Sequence, residues 1–255
     1  MSAPRVHTYP VRVATYNVHR CRGLDQRTMP ERIGAVVAGL EADIVALQEV
    51  LGPGVSGSDG HVATIADVAG MQWVMAPTRH LRGHLYGNVV LSKHPIRDHA
   101  RYELPSQRRE PRCCQRVDVE IAGHPLHFFN VHLGTGLIER RRQAVHLANI
   151  LDDFEEPGPL IMLGDFNEWT RGPATRVLTE RLDSLDLTKH LRRRRTYPGL
   201  LPMLHLDHIY HRGSIEVASV ALPRTRRTLV ASDHLPLVAA LRVQDKAGGL
   251  RAAGD

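Results

Sequence analysis

Short apolar runs recur along the whole of this 255-residue sequence, with turn-forming or charged residues between them. Each run has fewer than ten residues and is rich in Val, Ile, Leu or Phe, a pattern typical of β-strands rather than helices. The predicted strands are residues 9–17, 43–49, 72–76, 88–92, 116–121, 126–132, 160–165, 206–210, 215–221 and 237–243. Ten strands predict an extensive system of β-sheets.

Helical patterns are fewer, and pairs of predicted strands separate them. One helix is predicted from Thr28, because Thr28 followed by Glu31 matches a capping box and apolar residues then recur at helical spacing. A second is predicted over residues 139–154 and a third from near Pro173. This order predicts an α/β fold in which two packed sheets are flanked by helices.

The chain contains no repeat and no linker that would separate domains. We therefore expect one domain over residues 9–244, with an N-terminal extension at residues 1–8 and a disordered tail at residues 245–255. Three cysteines are too few for a disulfide framework. The oligomeric state stays open, with a monomer as the simplest expectation.

The charge balance favours anionic partners. The chain has 33 Lys and Arg residues against 27 Asp and Glu residues, a formal net charge of +6, which suits nucleic acid, phospholipid headgroups or small phosphates. The arginine run at residues 192–195 is either a solvated surface or a substrate contact. No apolar run approaches the roughly 18 residues of a membrane span, and no secretory signal is visible. We expect a cytoplasmic protein for which peripheral membrane contact stays open.

Polar residues able to bind a metal or a phosphate occur where several predicted strands end. A charged strand end is unfavourable unless it opens into a cleft, where loops held by rigid strands carry function. In the segment Asp165-Phe166-Asn167, the period of two in a strand predicts that both polar side chains face one side. The candidate site residues are Asn17, Glu49, His132, Asp165, Asn167, Asp207, Asp233 and His234.

Five motifs around these residues resemble, in order, those of the endonuclease/exonuclease/phosphatase superfamily. The resemblance covers about residues 11–243 and implies a DNase I-like, four-layer α/β sandwich of two mainly antiparallel packed sheets flanked by helices. Stretches at residues 139–143 and 195–198 resemble a bacterial subgroup. The five motifs are Tyr16-Asn17, Leu47-Gln48-Glu49, Gly164-Asp165-Phe166-Asn167, Leu206-Asp207-His208-Ile209 and Ser232-Asp233-His234-Leu235-Pro236.

The resemblance implies a Mg²⁺-dependent phosphoesterase, in which Mn²⁺ can substitute. Glu49 is the expected metal ligand, because a hard carboxylate suits Mg²⁺, and Asn17 would complete or orient that ligand shell. Asp233 would contact the metal directly or through the residues around it. Asp165 is expected to orient or deprotonate the attacking water, and Asn167 to hold water or phosphate.

The other three candidates are expected to handle protons and phosphate oxygens. Asp207 would hydrogen-bond His234, fixing its tautomer and stabilising its charged form, so that the pair acts as a base or as a phosphate clamp. His132 would serve as general acid or as a donor to a phosphoryl oxygen. Apurinic endonucleases of the superfamily usually lack a histidine matching His132, which makes that activity a weaker expectation.

Several alternatives compete with this hypothesis. The substrate is a phosphodiester or phosphomonoester, so a nuclease and a phospholipid or sphingomyelinase-like phosphodiesterase both stay open, as does an inactive phosphate-binding module of the same fold. The residues His205, Asp207, His208 and His211 could imitate a zinc cluster, but neighbours on one strand cannot all face one ion. The glycine-rich residues 52–57 are expected to form a flexible loop, since no acidic strand end follows at the spacing of a dinucleotide site.

Overall fold

The computed structural model describes residues 6–55, 57, 59–106, 109–169, 172–192, 194–199 and 203–246. Within these ranges the chain forms twelve β-strands and five α-helices. The strands are β1 (Val6–Asn17), β2 (Ile44–Gly54), β3 (Gln72–Leu81), β4 (His84–Ser92), β5 (Ile96–Leu104), β6 (Arg112–Ile121), β7 (His124–His132), β8 (Leu160–Asp165), β9 (Asp183–Ser184), β10 (Asp207–Arg212), β11 (Ser214–Ala221) and β12 (Leu237–Lys246). The helices are α1 (Pro30–Gly39), α2 (Gly60–Ala69), α3 (Leu137–Asp152), α4 (Pro173–Leu178) and α5 (Arg226–Ala231).

The strands form two six-stranded sheets. The first sheet has the order β11-β12-β1-β2-β4-β3, and the second has the order β5-β6-β7-β8-β10-β9. Among the described strands, only β1 with β2 and β7 with β8 pair in parallel, and the other neighbours are antiparallel. The expectation of two mainly antiparallel sheets is confirmed.

Three apolar clusters hold the layers together. Residues such as Val13 and Phe128 fill the core between the two sheets. Ile33 of α1 belongs to a second cluster on the outer face of the first sheet, and Leu147 of α3 to a third on the outer face of the second sheet. Phe129 lies in this third cluster because successive strand side chains point to opposite faces. The layers therefore run helices, sheet, sheet, helices, as the four-layer sandwich requires.

All ten predicted strands form, but β5 and β9 are absent from the sequence-based prediction. β5 has several exposed polar positions, including Arg97, Asp98 and His99, and it lies at the edge of the second sheet. An edge strand with one partner tolerates charges that interrupt an apolar run, and such charges also oppose edge-to-edge association. A prediction from hydrophobic periodicity therefore misses this strand.

The helix predictions need two corrections. The first helix begins at Pro30 rather than Thr28, and its N-cap, Met29, makes no side-chain capping hydrogen bond, so the predicted capping box does not form. Pro30 suits the first turn because its missing N–H has no partner in a helix start. The other two predicted helices are confirmed as α3 and α4, whereas α2 and α5 were not predicted.

The prediction of a flexible loop over residues 52–57 is wrong for residues 52–54. These residues belong to β2, which pairs with β4 as far as Gly54 and His84. At the chain ends, β1 begins at Val6 and β12 extends to Lys246. Residues 1–5 and 247–255 lie outside the described part of the chain.

Candidate active site

Adjacent strand ends bring four candidate residues together. Asn17 ends β1, His132 ends β7 and Asp165 ends β8. In the register of the second sheet, His132 lies beside Asp165 on one side, and Asp207, the first residue of β10, lies beside Asp165 on the other. Three residues that are distant in sequence therefore occupy adjacent positions along one sheet edge.

Glu49 reaches the same region by a different route. It does not close its strand, as the sequence suggested, but lies inside β2 at a bulge where two residues of β2 oppose one of β4. Its φ of 60° is a left-handed value that residues other than glycine rarely adopt. The preceding residue, Gln48, is fully buried and donates to Asn130 Oδ1 at 2.8 Å. The bulge therefore turns Gln48 into the core and Glu49 into the cleft.

Asn17 joins the two carboxylates of the site. Its Nδ2 donates to Glu49 Oε1 at 3.2 Å and to Asp165 Oδ2 at 3.0 Å. Its Oδ1 accepts a hydrogen bond of 3.0 Å from the backbone N–H of His19, which fixes the amide. Side chains from residues 17, 49 and 165 therefore meet at one point.

Asp165 is almost completely buried at this point. Its burial, opposed in part by the charge of His234, raises the pKa of Asp165 to about 6. Asp165 Oδ1 accepts from the backbone N–H of Asn167 at 2.9 Å, and Asn167 Nδ2 donates to the carbonyl of Leu133 at 2.8 Å. Both polar side chains line one cleft, while Phe166 packs away from it against Tyr210.

His234 lies between two carboxylates. Its Nδ1 is 3.3 Å from Asp207 Oδ2, and its Nε2 is 3.6 Å from Asp165 Oδ2. Burial alone would lower the pKa of His234, but the carboxylates of Asp207 and Asp165 outweigh it and raise the pKa to about 10. The imidazole is therefore a buried cation at neutral pH.

His132 faces the same oxygen of Asp165 from the other side, with Nε2 at 3.8 Å. Arg112 Nη1 donates to His132 Nδ1 at 3.1 Å, so the proton of the neutral ring is on Nε2. Burial, followed by the positive charges of Arg112 and His234, holds the pKa of His132 well below its usual range. Arg112 was not predicted, because nothing in the primary structure separates it from the other arginines.

Asp233 lies on the cleft wall and contacts a second unpredicted residue, His19. His19 Nδ1 is 3.6 Å from Asp233 Oδ1, and Arg20 Nη2 donates to His19 Nε2 at 2.5 Å. The neutral ring therefore has its proton on Nδ1, facing Asp233. Ser232 Oγ lies 3.3 Å from Asp233 Oδ1 and 2.8 Å from the carbonyl oxygen of Asn17, so its single proton has two neighbouring acceptors. The position of His19, two residues after Asn17, was the one available signal.

Seven of the eight candidate residues line a cleft of about 310 Å³, whereas Asp207 is fully buried and contacts His234. Trp169 is 54% exposed at its edge, and the ring of Tyr197 lies 4.9 Å from that of His234. The cleft is also lined by Arg112, Thr135, Trp169, Tyr197, Leu204 and Leu206. Of the arginine run, Arg193 lies outside the described residues, and Arg194 lines a neighbouring cavity of about 450 Å³ that shares Trp169 with the cleft.

The donor atoms of the site suit a hard cation rather than zinc. No cluster of three or more His, Cys, Asp and Glu side chains forms a metal site in the described ranges. The four residues that could imitate a zinc cluster do not form one. Asp207 contacts His234, and His208 Nε2 contacts the carbonyl of Glu168 at 2.6 Å. Mg²⁺ usually takes only one or two protein carboxylates, and Glu49 offers one at the cleft.

Comparisons with solved structures show the same fold. The mannosyl-6-phosphatase Bt3783 of Bacteroides thetaiotaomicron superposes with a TM-score of 0.70 at 18% identity, covering 91% of this chain and 99% of that one. TDP2 of D. rerio, complexed with a single strand DNA product, superposes with a TM-score of 0.71 at 17% identity, covering 91% and 98% of the two chains.

Within the described ranges, no helix has the length and apolar character needed to cross a membrane.

Sequence comparisons identify the family. The uncharacterized protein YbhP of Escherichia coli (strain K12) is 31% identical over 255 residues, which cover 92% of this chain and 97% of YbhP, so the expected bacterial subgroup is confirmed. The model of the Endonuclease/Exonuclease/phosphatase family matches residues 14–234, a range that includes all eight candidate site residues. The chain therefore belongs to the endonuclease/exonuclease/phosphatase family.

Proposed function

We propose that this protein is a divalent-metal-dependent phosphoesterase that uses Mg²⁺ and accepts Mn²⁺. The observation that supports this is the meeting of Glu49 and Asp165 at the amide of Asn17, with His132 and His234 facing the same Asp165 oxygen. Hydrolysis of a phosphate ester needs positive charge on the phosphoryl oxygens and an oriented water. The cleft contains side chains suited to both tasks.

Glu49 would hold the metal ion, and Asn17 would orient its carboxylate through Nδ2. The fit rests on the donor set, because a carboxylate is a hard ligand and the side chain of Glu49, which lines the cleft, remains 21% exposed. When bound, Mg²⁺ polarises the phosphoryl oxygens and offsets their negative charge. Asp233 contacts His19 instead of Glu49 or Asn17, so we assign it a positioning role at the wall of the site.

His234 would act as a cationic clamp on a phosphoryl oxygen. Asp207 accepts from His234 Nδ1, which fixes the tautomer and leaves the Nε2 proton directed into the cleft. A preorganised charge in a buried site stabilises developing negative charge more strongly than the same charge in water. A bound phosphate oxygen would lie near His234 Nε2 alongside Asp165, which would remain in the cluster.

His132 would donate a hydrogen bond from Nε2 to a second phosphoryl oxygen. Its Nδ1 already accepts from Arg112, so the neutral ring offers a single donor on the cleft side. Of the two roles expected from the sequence, this geometry supports the donor rather than the general acid.

Asp165 and Asn167 would position the attacking water. Asp165 Oδ2 lies at the centre of the cluster, and its Oδ1 is held by the backbone of Asn167. Asn167 Nδ2 is occupied by the carbonyl of Leu133, so its Oδ1 is the atom left to accept from water. A carboxylate and an amide oxygen on one side of the phosphate can orient water for in-line attack.

We propose that the reactive group of the substrate is a phosphomonoester or a phosphodiester. The two named structures of this fold include a phosphatase and a protein bound to a DNA product, which supports both kinds of ester. Nucleic acid, a phospholipid headgroup and a small phosphate are the candidate sources of that group.

Metal dependence and substrate class can be tested in one panel. The protein is incubated with each substrate in Mg²⁺, Mn²⁺ or EDTA. The substrates are DNA, RNA, sphingomyelin, lysophospholipid, inositol phosphates, and the nitrophenyl monoester and diester of phosphate. We expect cleavage of at least one compound with either metal and none with EDTA. Glu49→Gln and His234→Ala should each lower kcat by about 100-fold or more.

The matched controls are Glu216→Gln, on the outer strand β11, and His99→Ala, on the edge strand β5. Both positions are exposed or half-exposed and lie outside the cleft, so turnover should stay within twofold of the wild type. Unchanged turnover in Glu49→Gln and His234→Ala would overturn the proposed function.

A further inference from the structure

The chain makes a left-handed turn directly after Asn17, the last residue of β1. His19, Arg20 and Cys21 have φ values of 45°, 57° and 60°, although none of them is glycine. Residues other than glycine rarely adopt this conformation, so the turn is strained. Cys21 is fully buried and anchors the turn, so the strain is held by packing. Strain of this kind next to a reaction centre indicates that the direction of a side chain matters.

The side chain that the turn directs is Arg20. Its Nη2 donates to His19, and its Nε lies 4.0 Å from Glu49 Oε2, so the guanidinium lies beside the proposed metal ligand. Its Nη1 makes no hydrogen bond with the described residues, which leaves part of the guanidinium available.

Arg20 also lines a separate small pocket of about 140 Å³ with two further arginines, Arg22 and Arg82. The side chains of Arg22 and Arg82 have no ion pair or hydrogen bond with the described part of the chain. Arg82 also has a left-handed φ, of 53°. The remaining lining residues are Thr28, Leu51, His61 and Leu81. None of the lining residues is acidic.

Three arginines and no carboxylate line this pocket, so its lining is positively charged and suits an anion. Arginine binds phosphate through several parallel N–H donors, so the phosphate is bound strongly and in a fixed orientation. Arg20 lines this pocket and also lies 4.0 Å from Glu49, so it connects the pocket to the proposed reaction centre.

We propose that the pocket formed by Arg20, Arg22 and Arg82 binds a second phosphate group of the substrate, adjacent to the phosphate that is hydrolysed. The inference rests on the proposed function, since the second group has meaning only beside a phosphoester centre. It narrows the substrate class to compounds with two neighbouring phosphates, such as a 5′-phosphorylated oligonucleotide or a polyphosphorylated headgroup.

A binding experiment tests the pocket without requiring catalysis. Inorganic phosphate is titrated by calorimetry, in EDTA, into the His234→Ala protein, which lacks the charged phosphate contact of the cleft. Adding Arg22→Gln alone, or Arg82→Gln alone, should weaken phosphate binding at least about tenfold, since hydrogen bonds to charged groups are worth more than neutral ones. The matched control is Arg142→Gln on α3, an exposed arginine whose loss changes the net charge equally. Equal phosphate affinity with and without Arg22 and Arg82 would overturn the proposal.

A kinetic experiment then identifies the source of the second phosphate. The ratio of kcat/KM is measured for a thymidine dinucleotide with and without a 5′-phosphate, and for an inositol bisphosphate against its monophosphate. A preference for the doubly charged member of either pair, lost in Arg22→Gln and Arg82→Gln but kept in Arg142→Gln, supports the pocket and names its source. A preference that falls equally in all three variants reflects net charge and contradicts it. If the wild type cleaves none of the four compounds, the proposed function fails for them, and the calorimetry still decides whether the pocket binds phosphate.

Discussion

At the scale of single residues, the two histidines of the cleft differ in charge although both face the same oxygen of Asp165. The difference comes from the partner at the far ring nitrogen, which is the carboxylate of Asp207 for His234 and the guanidinium of Arg112 for His132. The carboxylate favours the protonated ring, and the guanidinium favours the neutral one. One charged and one neutral donor can therefore contact two oxygens of one phosphate.

Asp207→Asn should lower kcat by about 100-fold with a smaller change in KM, because the amide cannot support the charge of His234. The measurement is steady-state kinetics together with ¹⁵N NMR of the His234 ring, where the tautomer should change. A matched substitution, Asp67→Asn on the exposed side of α2, removes one carboxylate away from the site. A kcat close to that of the wild type in Asp207→Asn, or an unchanged ring spectrum, would exclude a positioning role for Asp207.

At the scale of elements, the bulge in β2 serves the core and the cleft together. It sends Gln48 inward to Asn130, whose Nδ2 donates to the carbonyls of Leu47 and Val89 at 3.0 Å. This buried polar network ties β7 of the second sheet to β2 and β4 of the first, directly behind Glu49. Buried polar groups that are all hydrogen-bonded favour one arrangement of the two sheets, so the network fixes the position of the carboxylate.

The contact between β7 and β8 has no room for a side chain at Gly164. Its φ is 150°, and a Cβ there would lie 1.8 Å from the carbonyl oxygen of Val131. Gly164→Ala should therefore destabilise the protein by about 3 kcal/mol, from overpacking and backbone strain together. It should also lower activity, because the strand would move next to Asp165. Urea unfolding and kcat measure the two effects.

Gly123→Ala is the control for strain without crowding. Gly123 has a φ of 81°, and a Cβ there would meet nothing within 4 Å. We expect a cost of about 1 kcal/mol from the left-handed conformation alone, with activity retained. If the two substitutions cost the same, close packing of β7 on β8 does not decide the position of Asp165.

At the scale of the whole molecule, the site exists only when the two sheets are packed. Asn17 and Glu49 come from the first sheet, whereas His132, Asp165 and Asp207 come from the second. An unfolded chain therefore has no such site, and a metal that binds here binds the folded state.

Mg²⁺ or Mn²⁺ should therefore raise the midpoint of thermal unfolding. At 100 times the dissociation constant the stabilisation is about 2.7 kcal/mol, or roughly 5–10 °C for a domain of this size. Glu49→Gln should abolish most of the shift, and Glu216→Gln should keep it. Calorimetric scans with and without metal measure this directly, and an equal shift in Glu49→Gln would place the metal elsewhere.

Much of the fold was predictable because it follows from local patterns. The order of apolar runs predicted ten strands that all form, and Pro173 correctly marked the start of α4. β5 was missed because its charges interrupt the apolar pattern at a sheet edge. The bulge at Glu49 was missed because it depends on pairing with β4, which no local pattern in β2 encodes.

The sequence by itself determined which strands form, in what order, and which polar residues stand near their ends, since hydrophobic periodicity and motif order are properties of neighbouring residues. Only the tertiary structure decided that Asn17, Glu49 and Asp165 meet, that Arg112 and His19 orient their neighbours, and that Arg20 reaches a second pocket. The physical reason is that distances, burial and charge states at the site arise from packing two sheets whose strands are far apart in the chain.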